Sequence, residues 1–313
     1  MKRIFEINLS SNFRCDKGYP SRYRAYRTAC AADEKVWQKA TAFLPGSRFD
    51  SVLIFLGDCV QYASHPELSV EGAWSREKLT EELKRLKELG LEPLPYLDLG
   101  AARDAWLGDL ARYISTERYR GAVTDIIKEI CDIFGGPALF HLGMGSETPE
   151  TQRFKLLKRS RSLDQWAEDL KRFSDAVRES GSRPWIWADR FLEDREAFAQ
   201  AVPRDTVLST QSYGNIKRRT DGKPGFRDEI TNSALELEEL GYDQIVSSSV
   251  GHSFPSNTGS NLELACFEMK NRPLGIMSYP DCTAEEDDLY RLQYAASNFA
   301  EAYDRTAVRG EKK

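Results

Sequence analysis

Residues 75–98 read SREKLTEELKRLKELGLEPLPYLD. Within this stretch Leu79, Leu83, Leu86 and Leu89 recur at three- and four-residue spacing, which puts them on one face of a helix with Lys and Glu side chains opposite. Ser75 stands where an N-cap belongs and Gly90 where a helix stops, although Lys78 takes the place of the Glu that would complete a capping box. A short apolar run, Leu91–Leu97, follows at once and ends on a carboxylate, Asp98. A capped helix, a stop, a short strand and a polar residue at its C-terminal end form the repeating unit of a parallel α/β fold.

The same alternation extends in both directions. Strand-like runs are read at Ile4–Asn8, Ser51–Leu56, Leu91–Leu97, Ala138–Leu142, Pro184–Trp187, Thr206–Gln211, Asp243–Ser248 and Leu274–Ser278. Amphipathic stretches between them predict helices at about Glu34–Phe43, Ser75–Leu89, Glu117–Phe134, Leu163–Glu179, Arg190–Ala201, Asp228–Leu240, Asn261–Lys270 and Ala284–Asp304. Eight of each predict a (β/α)8 TIM barrel, with residues 1–313 as a single domain and a frayed end at Glu311-Lys312-Lys313. A doubly wound open sheet is the alternative, but no Gly-rich fingerprint follows any strand.

Bulk properties narrow the function. A chain of 313 residues with 41% hydrophobic and 30% charged residues has the composition of a soluble globule with a sizeable core. A net charge of −5 argues against nucleic acid or an anionic membrane as partner, and Lys217-Arg218-Arg219 is too short a basic run to reverse that. Met1-Lys2-Arg3 leads into a strand-like segment rather than a secretory h-region, so a cytoplasmic location is expected. The six cysteines are scattered without a CxxC pair, and three histidines (His65, His141, His252) are few for a metal-dependent barrel. No metal and no cofactor are therefore expected. No G-x-S-x-G elbow supports serine chemistry.

In such barrels the active site lies at the C-terminal ends of the strands. That rule selects Asn8, Asp58, Asp98, the segment His141–Glu147, Asp189, Gln211 with Tyr213, Ser248 with His252, and Tyr279 with Asp281. Carboxylates and aromatic side chains dominate this set. They are the groups that hydrogen-bond sugar hydroxyls and stack on sugar faces, and paired carboxylates drive glycosidic cleavage. Each residue has a structural alternative: Asp58, Asp98 and Asp189 as caps, Trp187 as packing, His141 as a core histidine, and Glu147 as a surface carboxylate.

Longer motifs carry a family resemblance. His65-Pro66-Glu67-Leu68 through Gly72-Ala73-Trp74-Ser75, then Leu89-Gly90-Leu91-Glu92-Pro93-Leu94-Pro95-Tyr96-Leu97-Asp98, resemble the β-hexosaminidase-like barrels of glycoside hydrolase family 20. Phe140-His141-Leu142-Gly143-Met144 is similar to the start of that family's H-x-G-G-D-E strand end, and Pro184-Trp185-Ile186-Trp187-Ala188-Asp189 to its next, tryptophan-bearing strand. The chain also resembles divergent bacterial relatives of the family whose strand end reads HLGMDEE. The resemblance implies a substrate-assisted mechanism, in which an Asp orients the substrate's 2-acetamido group and the following Glu protonates the leaving oxygen. This sequence departs from it: in strict register Gly145 stands for the Asp and Ser146 for the Glu, and Glu147 comes one position late.

Two functional classes follow. In one, the protein is a glycoside hydrolase that acts on a carbohydrate by carboxylate acid/base chemistry. Glu147, brought round by a bulge between Gly143 and Gly145, and Asp189 would be catalytic; Asp58, Asp98, Trp106, His141, Trp187, Tyr213, Tyr279 and Asp281 would bind substrate. In the other, the barrel is catalytically degenerate and binds carbohydrate without cleaving it. A metal-dependent lyase or isomerase is a third, weaker reading. The oligomeric state is not legible.

Overall fold

A computed structural model describes residues 1–17, 25–145, 147–210, 226–250 and 256–310. Eight parallel strands form one sheet in the order β6-β5-β4-β3-β2-β1-β8-β7. They are β1 (Lys2–Asn8), β2 (Ser51–Phe55), β3 (Glu92–Tyr96), β4 (Leu139–His141), β5 (Arg183–Trp187), β6 (Val207–Ser209), β7 (Ile245–Ser248) and β8 (Gly275–Ser278). The seam between β6 and β7 closes through a Leu208–Gln244 bridge, with Leu208 N donating to Asp243 O at 3.0 Å. Ser209 reinforces it from inside, accepting from Trp185 Nε1 at 2.8 Å and donating to Ile245 O at 2.6 Å. The sheet is therefore a (β/α)8 barrel and not an open, doubly wound sheet.

Register decides which side chains point inward. Asn8, Phe55, Tyr96, His141 and Trp185 are successive partners across β1 to β5, and Trp187 is paired with Ser209. Because side chains alternate along a strand, these positions and the residues two away from them share the interior face. Rings fill one side of that interior: Phe55–Tyr96, Tyr96–His141 and His141–Trp185 have centroids 5.2, 4.5 and 4.3 Å apart.

The outer ring contains α1 (Glu34–Ala42), α2 (Arg76–Glu88), α3 (Glu117–Phe134), α4 (Leu163–Glu179), α5 (Arg195–Ala201), α6 (Phe226–Glu239), α7 (Ser256–Glu263) and α8 (Glu286–Gly310). Ser75 caps α2, its hydroxyl accepting from Lys78 N at 3.2 Å, while Leu79, Leu83 and Leu86 are buried. Each such leucine contributes about 1.5–3 kcal/mol by leaving water. Ser162 and Gln165 form a reciprocal capping box on α4.

Two expected helices differ from the sequence reading. Arg190–Ala201 divides into a short 3-10 turn, Asp189–Leu192, and α5, because Asp194 accepts from Ala197 N at 3.0 Å and starts a new helix there. Asn261–Lys270 is displaced: α7 begins at Ser256, and the chain widens into a π-helical turn at Leu264–Glu268 before β8. Among the described residues, no helix is long and apolar enough to cross a membrane.

Candidate active site at the strand ends

A cavity of about 270 Å³ opens at the C-terminal ends of the strands. Asp98 from the end of β3, Trp187 and Asp189 from β5, and Tyr279 from β8 line it, together with Arg14 and Arg103. Four of the residues expected to act on a ligand thus share one cavity. Trp187 and Tyr279 meet edge to face across the barrel, centroids 5.2 Å apart at 85°.

Asp98 is buried and firmly held. It accepts from Tyr96 Oη at 2.6 Å and from Gly100 N at 3.2 Å, and Arg103 Nε lies 2.7 Å from its Oδ2. Burial raises its pKa against the pull of the Arg103 charge. Trp187 Nε1 donates to the same Tyr96 hydroxyl at 3.3 Å, which ties β3, β5 and the Asp98 carboxylate into one network.

Arg103 also reaches the other carboxylate expected here. Its Nη2 is 3.1 Å from Asp281 Oδ1, while Arg14 Nη2 is 2.9 Å from Asp281 Oδ2. Asp281 is therefore sandwiched between two guanidinium groups that line the cavity, and sits behind them. The Arg103 guanidinium also lies over the Phe13 ring at 4.2 Å. Beneath it, Glu6 accepts from Asp281 N at 3.2 Å; burial and the Asp281 charge push its pKa well above the carboxylate range. Neither arginine was singled out from sequence, yet Arg14 lies six residues past Asn8 and Arg103 five past Asp98. A search for cations in the loops after the strands finds both.

The strand-4 segment does not carry Glu147 to the cavity at which the expected bulge would have aimed it. Glu147 is buried and is not part of the cavity lining. Its Oε1 accepts from Ala101 N at 3.0 Å and Arg161 Nε at 2.9 Å, its Oε2 from Arg161 N at 2.9 Å, and Arg161 Nη2 makes a further short contact with Oε1. Despite the cost of burial, the Arg161 charge and these donors hold the Glu147 carboxyl below its usual pKa, the opposite of what a general acid requires. Arg161 binds Leu99 O and Asp169 as well, each at 2.9 Å, so the pair fastens the loops after β3 and β4 to α4. Gly145, by contrast, lines the cavity. Ser146 lies outside the described residues.

The remaining candidates sit apart from the cavity surface. His141 is enclosed by Tyr96, Trp185 and Trp187; its Nδ1 accepts from Gly143 N at 2.9 Å, leaving the proton on Nε2. Burial, aided by the Arg103 charge, keeps it neutral. Trp106 is buried and donates from Nε1 to Asp98 O at 2.9 Å, bracing the Asp98 loop from behind. Asp58 is buried at the end of β2, where it accepts from Ser10 Oγ at 2.6 Å and Asn12 Nδ2 at 2.7 Å and so holds the loop that carries Arg14. Tyr213, Gln211 and His252 fall outside the described residues.

Comparison with solved structures finds this architecture in β-hexosaminidases. The chain is similar to a β-N-acetylhexosaminidase from Bacteroides fragilis, with 13% identity and a TM-score of 0.64 over 99% of this chain and 69% of that one. It is similar to a glycoside hydrolase family 20 exo-β-N-acetylglucosaminidase from Vibrio harveyi in complex with N-acetylglucosamine, with 12% identity and a TM-score of 0.61. It is also similar to a mutant β-hexosaminidase from Streptomyces plicatus in complex with its product, with 12% identity and a TM-score of 0.63. The chain spans 56% and 63% of the length of the latter two, and 97% and 95% of its own residues are covered. At these identities the likeness is one of fold. No family model and no curated protein sequence matches the chain.

Proposed function

We propose that this barrel binds a carbohydrate in the cavity lined by Asp98, Trp187, Asp189 and Tyr279 and does not cleave it by the substrate-assisted route of family 20. The two rings, with Asp98, Asp189, Arg14 and Arg103 around them, provide the apolar faces and the dense donors and acceptors that a sugar ring needs. The observation that carries the second half is the locked state of Glu147. The residue is consumed by Arg161, and Gly145 presents only backbone, so neither described position offers the cavity an acid.

The test is calorimetric titration with N-acetylglucosamine, N-acetylgalactosamine, glucose, galactose, mannose and xylose and their short oligomers, run beside chromogenic glycosides of the same sugars. Saturable binding to at least one sugar is expected, weakened about tenfold or more in Asp189→Asn, as loss of hydrogen bonds to a carboxyl group implies. Turnover of N-acetylglucosaminides in the ordinary enzymatic range, roughly 1–10³ s⁻¹, would defeat the reading. So would a folded protein that binds none of the panel.

A second reading has one observation in its favour. Burial raises the Asp98 pKa, and Asp189 lines the same cavity, so the two could divide acid and base roles in a glycosidase built on β3 and β5. If any glycoside is hydrolysed, Asp98→Asn and Asp189→Asn should each lower the rate about 10²–10⁴-fold, and Glu147→Gln should not.

A further inference from the structure

A second cavity, of about 420 Å³, opens at the N-terminal ends of the strands, away from the one described above. Its lining places it there: Met1 precedes β1, and Met269, Lys270 and Arg272 lie in the connection that leads into β8. The π-helical turn after α7 shapes one wall. Met269 N donates to Leu264 O, five residues back, at 3.0 Å, and in this wide turn Leu264 and Ala265 are buried while Cys266 and Phe267 stand exposed. Turns of this kind are rare and recur at functional sites. Tyr303 and Ala307, one turn apart on α8, form the other wall.

The chemistry of this lining is one-sided. Leu262, Phe267, Met269, Tyr303 and Ala307 supply apolar surface, Lys270 and Arg272 supply two cations, and no carboxylate lines the cavity among the described residues. The strand-end cavity, by contrast, sets Asp98, Glu150 and Asp189 against its arginines. In a chain of net charge −5, an apolar hollow with two cations and no acid is a local reversal of sign that favours an anion. Lys270 Nζ reaches Glu239 Oε1 at 3.2 Å, but both side chains are exposed, and a solvated pair of this kind holds its partner weakly. Arg272 makes no ion pair among the described residues.

We propose that this cavity is a binding site for a monomeric medium-chain carboxylic acid. The alkyl chain lies between the π-helical turn and α8, against Phe267, Met269 and Tyr303, and the carboxylate meets the Arg272 guanidinium with Lys270 beside it. A planar guanidinium matches a carboxylate with two parallel hydrogen bonds, and the cavity's volume falls in the range that takes small ligands. The site is independent of the carbohydrate reading, since the two cavities share no lining residue.

The experiment uses the full chain with decanoate as the probe and follows the alkylation of Cys266, which lines the cavity and is exposed, by iodoacetamide and peptide mapping. Decanoate at ten times its Kd should slow Cys266 about tenfold and leave the partly exposed Cys30 unchanged. By calorimetry, hexanoate, octanoate and decanoate should bind in rising order, on the order of tenfold tighter for each two carbons. Arg272→Gln should weaken decanoate about tenfold or more and leave decanol unaffected. Ala307→Phe, a substitution at an exposed position that fills the cavity, should abolish protection while the melting curve stays that of wild type. The proposal is overturned if decanoate leaves the Cys266 rate unchanged, if decyltrimethylammonium protects equally, or if Arg272→Gln binds decanoate as wild type does. It is also overturned if Cys266 becomes protected on raising the protein concentration alone, which would make a second copy of the chain the occupant.

Discussion

Oδ2 of Asp189 stands 2.9 Å from the point where a β-carbon on Gly145 would lie. A carboxylate at the end of β5 thus stands over a position in the strand-4 segment that lacks a side chain. Placing a carboxylate there by Gly145→Asp would set two carboxyl groups against each other. One of the two should then keep its proton into the neutral range. Gly145→Asp is expected to lower stability at pH 7 by about 1–2 kcal/mol and by less at pH 4.5, and Asp189→Asn should reverse most of that loss. Melting curves of the two single variants and the double variant at both pH values test this. Additive effects would mean that the side chains do not meet.

Two residues earlier the constraint is of another kind. Gly143 has φ near +70°, and a β-carbon on it would lie 2.3 Å from Asp98 Oδ1 and 2.8 Å from the Asp98 Cα. The second contact is to backbone, so no rotamer of Asp98 relieves it, and the left-handed conformation adds its own cost. Gly143→Ala should destabilise by more than about 3 kcal/mol, whereas Gly145→Ala, opposed only by the end of a side chain, should stay within about 1 kcal/mol. Urea unfolding of the two variants compares them directly; equal losses would refute the distinction.

The barrel was legible in the sequence because period-two and period-3.6 patterns report burial, and burial fixes the layers. Residues 75–98 illustrate this, since α2 and β3 fall within the stretch as read. The site was legible only as far as strand ends could be counted. Asp98, Trp187, Asp189 and Tyr279 meet at one cavity because they end or closely follow β3, β5 and β8. Arg14 and Arg103 escaped notice because they act from loops, where no periodicity marks a position. Glu147 could not be placed from sequence at all. Its partner Arg161 is fourteen residues away, just before the Ser162 cap of α4, and a one-residue shift in a glycine-rich turn says nothing about which way a carboxylate turns.

That pairing sets the expectation for Glu147→Gln. Removing the charge leaves Arg161 buried with Asp169 as its remaining carboxylate. A loss of about 3 kcal/mol or more is expected at pH 7, typical of a broken buried pair. The folded pKa of Glu147 is depressed, so its contribution is present above the unfolded value near 4.3 and is lost as pH falls below it. The gap between wild type and Glu147→Gln should therefore narrow in acid. An undiminished gap at pH 3, in conditions where both proteins still fold, would show that the ion pair is not its source.

Asp58 should behave in the opposite way. Burial lifts its pKa to about 6, although Ser10, Asn12 and Tyr26 all donate toward it and pull the other way. The unfolded value is near 3.9, so between these limits the folded chain binds more protons than the unfolded chain. The slope of unfolding free energy with pH is then negative: the contribution is full below about pH 4 and is lost as pH rises through 6. Asp58→Asn cannot ionise and escapes this loss. Relative to wild type, the variant should gain roughly 2 kcal/mol of stability between pH 4.5 and pH 7.5, most of what a shift of about two units carries in all. Chemical unfolding of both proteins at the two pH values isolates the ionisation, because any change in hydrogen bonding common to both conditions cancels. A constant difference would mean that Asp58 titrates normally and that Ser10 and Asn12 compensate fully for its burial. A relative loss of stability on going to pH 7.5 would mean that the carboxylate is stabilised where it stands and that the loop carrying Arg14 depends on its charge.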